Sequence, residues 1–316
     1  MEFGYTLSSE EHGAMDLVRH AQRAEEAGFD FLTISDHFHP WVDAQGNSPF
    51  VWSTLGGVAA TTHRVGVGVG VSCPILRIHP TIVAHAAATT ATMFGDRFFL
   101  GVGTGELLNE HVLGQRWPRI ETRRAMLAEA IDLMRLLWSG DVVDHDGTYF
   151  TVENARLYNV PDREVPIVMS AFGPESAQAA AALGCGLWTT GPSKEILDAY
   201  REAGGTGPII GQLSLCWADD REDALDTVQR VWPTAGLSGQ LSQELPSPAL
   251  FEQACATVRR EDLAKSVICG ADPGPVLEAV DEYRQLGFTR LHFHQIGEDQ
   301  HAFFDAWRNE LQPAWA

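Results

Sequence analysis

Eight short apolar segments, each followed by sequence of helical period, run through this chain from end to end. Residues 2–7 alternate apolar and polar side chains, as a strand does. FDFLTIS (29–35), RVGVGVGVS (64–72), RFFLGVG (97–103), VPIVMS (165–170), GLWTT (186–190), PIIGQLSLCW (208–217) and RLHFHQI (290–296) complete the set. Between the first two, Ala14, Leu17, Val18, Ala21 and Ala24 recur at helical spacing and Gly28 ends the run. Helical sequence follows at 51–62, 79–94, 120–138, 174–183, from 194, at 219–231, 273–286 and 299–310. Eight strand–helix units predict a closed (β/α)8 TIM barrel of the α/β class, with an open doubly wound sheet as the alternative. The 316 residues fit one such domain, 1–316. Residues 139–160 read as a turn with short extended pieces. The stretch at about 233–264 reads as an insertion before the last strand.

Charge narrows the function. Lys plus Arg number 22 against 42 Asp plus Glu, a formal net charge of −20. A nucleic-acid binder or a basic membrane-surface protein would be repelled by phosphates at that charge, so no nucleic acid and no membrane partner are expected. No apolar run approaches the roughly 20 residues of a membrane span, and MEFGYTLSSEEHG lacks the basic and apolar regions of a signal peptide. Five scattered cysteines without a CxxC point to a reducing, cytoplasmic setting.

In a barrel, chemistry gathers where strands end. Asp36-His37-Phe38-His39-Pro40-Trp41 follows the second strand: an imidazole able to exchange a proton near neutral pH, a carboxylate beside it and a Trp nearby. The same residues also read as a polar turn. His37 and His39, with His292 and His294, form two HxH pairs, which leaves a metal-dependent hydrolase open. Gly66, Gly68 and Gly70 share one strand face and make room for a helix or a flat ring. GVGTGE (101–106) is neither GxGxxG nor a P-loop; its Glu106 is a candidate acid in a glycine-rich loop. Ser170-Ala171-Phe172-Gly173-Pro174 and Thr189-Thr190-Gly191-Pro192-Ser193 each lead into a helix start whose backbone N–H groups suit an anion, although ordinary capping explains them equally.

SDHFHPW (35–41), HPTIVAHAAATTATMFGDRFFLGVGTGELLNEHVLG (79–114), LLWSGDVVDHDGTYF (136–150) and HQIGEDQ (294–300) resemble the luciferase-like barrel superfamily, in its coenzyme F420-dependent glucose-6-phosphate dehydrogenase-like branch. The resemblance implies a (β/α)8 barrel, usually a homodimer, with the deazaflavin F420 at the C-terminal mouth. It implies cofactor contacts at Asp36, Gly70, Val71, Thr104, Gly105, Asn109, Ser170, Ala171, Gly173 and Thr190, and a cis peptide at Gly70–Val71. His37 and Glu106 then form the acid–base pair and Trp41 the active-site Trp. His37 takes the hydroxyl proton of an alcohol substrate as hydride leaves the adjacent carbon, Asp36 orients the loop, and Glu106 gives a proton or offsets charge.

The substrate pocket departs from the sugar-phosphate members, which hold the phosphate with two lysines and an arginine. The matching positions read Ser193, about Ser242, and Ser266, with Lys194 and Lys265 one residue away. A phosphate dianion there lacks partners. The expected substrate is a neutral sugar or other secondary alcohol, with Glu10 accepting hydrogen bonds from its hydroxyls. The other readings are an F420H2-dependent reductase of a carbonyl or imine-like carbon, glucose-6-phosphate dehydrogenase proper, an FMN monooxygenase of the same superfamily, and a barrel without catalysis.

Overall fold

The computed structural model describes residues 1–237 and 239–315. Its strands, in chain order, are β1 (Glu2–Leu7), β2 (Phe31–Ile34), β3 (Gly66–Ser72), β4 (Phe98–Val102), β5 (Val143–Asp146), β6 (Thr151–Ala155), β7 (Ile167–Ser170), β8 (Gly186–Thr189), β9 (Ile209–Cys216), β10 (Ile268–Cys269) and β11 (Arg290–Gln295). Eight of them close a parallel ring in the order β1-β2-β3-β4-β7-β8-β9-β11. At the seam β11 returns to β1, with Tyr5 opposite Phe293. The fold is therefore the TIM barrel that the strand–helix alternation predicts, and the seam pairing removes the open sheet. Residues 139–160 form the antiparallel hairpin β5–β6 outside the ring, short extended pieces joined by a turn as expected. One feature departs from the sequence expectation: β10 adds a two-residue edge to β9, Cys269 opposite Cys216.

The glycine run of β3 shows how the ring is filled. Val67 and Val69 are fully buried in the main core between strands and helices. A Cβ on Gly68 would lie 2.1 Å from the Phe99 ring, and one on Gly70 2.4 Å from Trp188. Gly4 does the same for Phe31. Phe31, Phe99, Val168, Trp188 and Ile210 form the cluster that plugs the barrel. The space left by β3 is thus occupied by rings of the protein itself. Above this plug His292 sits fully buried, with Nδ1 2.7 Å from Thr6 Oγ1 and 3.3 Å from Thr33 Oγ1. Burial lowers its pKa to about 3, so it is neutral.

Outside, the helix Pro80–Phe94 presents Val83, Ala84, Ala87, Ala88 and Ala91 inward at three- and four-residue spacing. Small side chains let it lie close to the strands. The last helix, Gln300–Ala306, widens into a π-helical turn at Trp307–Leu311. There Trp307 stacks on Phe29, ring centroids 4.2 Å apart. The 233–264 stretch forms a 3-10 turn and the short helices Leu241–Glu244, Pro248–Cys255 and Arg260–Ser266, the last running on to 266. Leu237, Leu245 and Phe251 from this stretch pack on Trp41, Val42 and Leu108, so it covers the mouth at the ends of β2 and β4.

Candidate active site

Each strand end contributes side chains to the mouth. After β1, Ser8-Ser9-Glu10-Glu11 turns back into the barrel and Glu10 is 2% exposed. Its Oε2 accepts from Ser35 Oγ (2.7 Å) and Ser8 Oγ (3.2 Å). Its Oε1 lies 3.4 Å from His37 Nδ1. That nitrogen is also 3.2 Å from the His39 carbonyl oxygen. The aligned acceptor on Nδ1 is the His39 carbonyl, and the Glu10 carboxylate faces the same nitrogen without an aligned hydrogen bond; together they favour the proton of a neutral imidazole on Nδ1 and leave Nε2 its lone pair. Ser48 Oγ donates to the His37 carbonyl (2.7 Å), and the His37 ring packs 4.9 Å from Trp41. Trp41 is held in turn by Phe251 (5.1 Å) and by Gln45 Oε1, which accepts its backbone N–H at 2.8 Å. Glu10, expected at the substrate hydroxyls, has Oε2 held by two serines, while Oε1 faces His37 without an aligned hydrogen bond.

Glu106 opens the short helix Leu107–Glu110 behind β4. Gly105 precedes it at φ 75°, where a side chain would be strained and would also strike Cys73 Sγ. Asn109 ties this helix to the His37 loop. Its Oδ1 accepts from Phe38 N (2.8 Å) and His39 N (3.2 Å), while its Nδ2 donates to Glu106 Oε2 (3.3 Å). His37 and Glu106, 69 residues apart in the chain, are thus brought to one rim through a single amide.

Asp36 lies beneath, 4% exposed. It accepts from Ser72 Oγ (2.5 Å) and from Arg77 Nη2 (2.9 Å). Arg77 also faces Glu110, whose carboxyl burial pushes up to about 7 although the Arg77 N–H and guanidinium pull it down. The Gly70–Val71 peptide is cis, at the place the resemblance implied. Gly70, Val71, Thr104 and Gly105 remain half-buried around the mouth.

A second part of the mouth suits an anion. Ser170 ends β7, the Ala171 N–H donates to Trp188 O (2.9 Å), and Gly173 starts the helix Pro174–Ala182. Ser193 starts the next helix, Lys194–Glu202. Neither helix start has a side-chain cap, which leaves N–H groups free. Phe172, the run Thr189–Ser193 and Ile196 line an open depression of about 350 Å³ there.

Two further candidates, Ser242 and Ser266, lie on helices of the stretch that covers the mouth. Ser242 is half-buried on the helix Leu241–Glu244, and Ser266 is exposed, its Oγ turned to Asp262 O (3.4 Å). Lys194 pairs with Asp198, and Lys265 with Asp262 at 2.9 Å. The HxH pairs do not converge. His39 Nδ1 turns to Leu108 O (3.1 Å), and His294 Nε2 lies 2.9 Å from Glu11 Oε2. Among the described residues no group of three or more His, Cys, Asp or Glu is placed to hold a metal ion. Sequence reading missed Arg77, Glu110, Ser8, Ser35 and Gln45. The one local signal was Arg77 in the loop directly after β3.

Comparisons with known proteins bear on the family and the cofactor class. The luciferase-like monooxygenase family matches residues 1–290. F420-dependent glucose-6-phosphate dehydrogenases of Mycobacterium tuberculosis and Tsukamurella paurometabola are 36% and 35% identical over 99% of this chain and 97% of theirs. Among solved structures, an F420-dependent secondary alcohol dehydrogenase in complex with an F420-acetone adduct superposes with a TM-score of 0.92 at 29% identity, covering 100% of this chain and 99% of that one. A coenzyme F420-dependent tetrahydromethanopterin reductase from Methanopyrus kandleri shares the fold, with a TM-score of 0.80 at 18% identity over 100% and 99% of the two chains. No helix among the described residues is long and apolar enough to cross a membrane. The chain belongs to the luciferase-like monooxygenase family, among relatives that are F420-dependent oxidoreductases.

Proposed function

We propose that this chain is an F420-dependent dehydrogenase that oxidises a neutral secondary alcohol or free sugar. The observation that carries the reading is the His37 imidazole, its Nδ1 held by the His39 carbonyl and faced by Glu10, and its loop tied to Glu106 through Asn109. The residues present fit the cofactor. The two uncapped helix starts at Gly173 and Ser193, beside the depression at Thr190, suit the phosphate on its side chain. A Cβ on Gly173 or Gly191 would meet nothing within 4 Å. Gly70, Val71, Thr104, Gly105, Ser170 and Ala171 would border the ring, with Asp36 and Asn109 fixing that border from behind.

Bound F420 supplies the hydride acceptor. His37 Nε2 takes the alcohol's hydroxyl proton while hydride leaves the carbinol carbon, and a carbonyl product results. Glu10 and the His39 carbonyl stabilise the imidazolium that forms. Glu106 provides a carboxyl group, oriented by Asn109 Nδ2, to give a proton or offset charge. Trp41 shapes the pocket beside His37 and excludes water.

Charge supports a neutral substrate. Arg77 and Arg123 are buried against carboxylates of the chain itself, and the exposed Lys194 and Lys265 pair with Asp198 and Asp262. A substrate phosphate reaching Arg77 or Arg123 would have to displace a carboxylate. The similarity to glucose-6-phosphate dehydrogenases favours the phosphorylated sugar instead, and one experiment separates the two. Secondary alcohols, free sugars and glucose 6-phosphate are each mixed with oxidised F420, and loss of its visible absorbance is followed. Turnover is expected with a neutral alcohol, and His37→Ala is expected to abolish it while F420 still binds. A strong preference for glucose 6-phosphate would overturn the substrate assignment, and retained turnover in His37→Ala the role of His37.

A further inference from the structure

We propose that Arg77 is a positioning residue for this reaction, clamping the His37 loop to the helix that starts at Glu106. The inference rests on the reading of His37 and Glu106 as the acid–base pair. Arg77 lies in the loop after β3, and its side chain is 7% exposed. A guanidinium so far from water has to be matched by partners on the protein. One of its nitrogens, Nη2, donates to Asp36 Oδ1 at 2.9 Å and to the Asp36 carbonyl at 3.1 Å. Both the side chain and the main chain of the residue before His37 are therefore held by one atom. On its other side Nε lies 3.5 Å from Glu110 Oε1, an ion pair without an aligned hydrogen bond. The Arg77 backbone N–H donates to Glu110 Oε2 at 2.8 Å.

Glu110 sits four residues beyond Glu106 on the same helix, and Asn109 beside it makes the second tie between the same two segments. The two ties bracket His37: Asp36 is held by Arg77, and the N–H groups of Phe38 and His39 by Asn109. Asp36 also accepts from Ser72, so the end of β3 joins the clamp. Three strand ends are locked at the point where a base and a carboxyl must face one substrate. Only a forked guanidinium reaches Asp36 and Glu110 together; a lysine ammonium is a point charge that serves one.

The test is Arg77→Lys, measured beside His37→Ala, in the full chain with F420 and the best alcohol from the panel. Misplacement by about 1 Å costs on the order of 10²-fold in turnover. Arg77→Lys is therefore expected to lose about 10- to 100-fold in kcat, with KM for the alcohol and Kd for F420 changed less than about threefold. The acid limb of its kcat–pH profile should also move, because the support of the His37 loop has changed. A merely structural ion cluster would lower the melting temperature and leave kcat per folded molecule and the pH profile in place; that result overturns the proposal. Should Arg77→Lys fail to fold, Glu110→Gln loosens the same clamp and leaves the Arg77–Asp36 pair intact. It must then show a kcat loss at unchanged KM, and parental kcat in it overturns the proposal as well. If His37→Ala keeps turnover, the underlying acid–base reading fails; if only the clamp variants keep it, the clamp alone fails.

Discussion

Replacing Glu10 by Gln separates the two roles available to this carboxylate. Oε2 accepts from Ser35 and Ser8, and Oε1 faces His37 Nδ1 at 3.4 Å. A glutamine of the same shape has one acceptor and one donor. If its oxygen stays with the serines, its NH2 group meets Nδ1–H, donor against donor. The imidazole then moves its proton to Nε2 and can no longer take one from an alcohol. Loss of the right tautomer in a Ser-His-Asp triad lowers kcat by about 10⁴. Here the His39 carbonyl, 3.2 Å away, still favours the proton on Nδ1, so the lower end of the general-base range applies, about 10². That corresponds to about 2.7 kcal/mol on the barrier. The assay is steady-state loss of F420 absorbance at saturating alcohol, with KM from the same series. A loss confined to kcat is expected. A variant within threefold of the parent in kcat would refute the reasoning, and a loss confined to KM would return Glu10 to the substrate hydroxyls.

Glu110→Gln tests the buried carboxyl behind Arg77. Its pKa is raised from an ordinary 4.5 to about 7 by burial, so the folded state binds its proton more tightly than the unfolded chain does. The resulting stability is complete below pH 4.5 and is lost as pH rises through 7, roughly 3 kcal/mol in all. Urea unfolding at pH 5, 6.5 and 8 should show the glutamine variant gaining on the parent as pH rises; a constant difference would refute the shift. Gly68→Ala puts a methyl 2.1 Å from the enclosed Phe99 ring and should lower the unfolding free energy by about 1–3 kcal/mol, whereas Gly173→Ala, in open space, should be near neutral; equal effects would contradict the filled interior. Inorganic phosphate should inhibit competitively against F420 and not against the alcohol; the reverse pattern would place a phosphate subsite in the substrate pocket.

Much of the fold was legible because its strands carry their own punctuation. The ring strands start and end within two residues of the segments read from apolar runs and flanking Gly, Pro or Asp. β10 was not, since two residues carry no period. The purpose of the β3 glycines was half legible: alternate glycines announce a close approach, but the approaching rings sit on β2, β4 and β8, and only ring closure shows which. At the site, His37, Glu106 and Trp41 were legible as candidates at strand ends, and the structure gathers them at one rim. Arg77, Glu110, Ser8 and Ser35 were not, because their work is to hold other residues. Nothing in the local sequence says that position 77 will meet positions 36 and 110. Glu10 was legible as a carboxylate at a strand end, but its neighbours Ser8, Ser35 and His37 come together only in the folded chain.

The mouth treats negative charge in two different ways, and this bears on the choice of substrate. At Gly173 and Ser193 the partners for an anion are backbone N–H groups at helix starts. They carry partial positive charge without a counter-ion and need displace nothing when a phosphate arrives. Elsewhere around the mouth buried positive charge is carried by side chains matched by carboxylates: Arg77 by Asp36 and Glu110, and Arg123 by Glu244. In a chain of net charge −20, removing such a carboxylate to admit a dianion leaves that carboxylate to find new solvation, and the gain from the incoming phosphate is largely offset. On the proposed reading a cofactor phosphate is favoured at the helix starts, and a substrate phosphate is disfavoured beside Arg77 and Arg123. This asymmetry would follow from where the pairs sit and not from the count of basic residues, so Ser266→Lys alone is expected not to bring turnover of glucose 6-phosphate in the F420 absorbance assay.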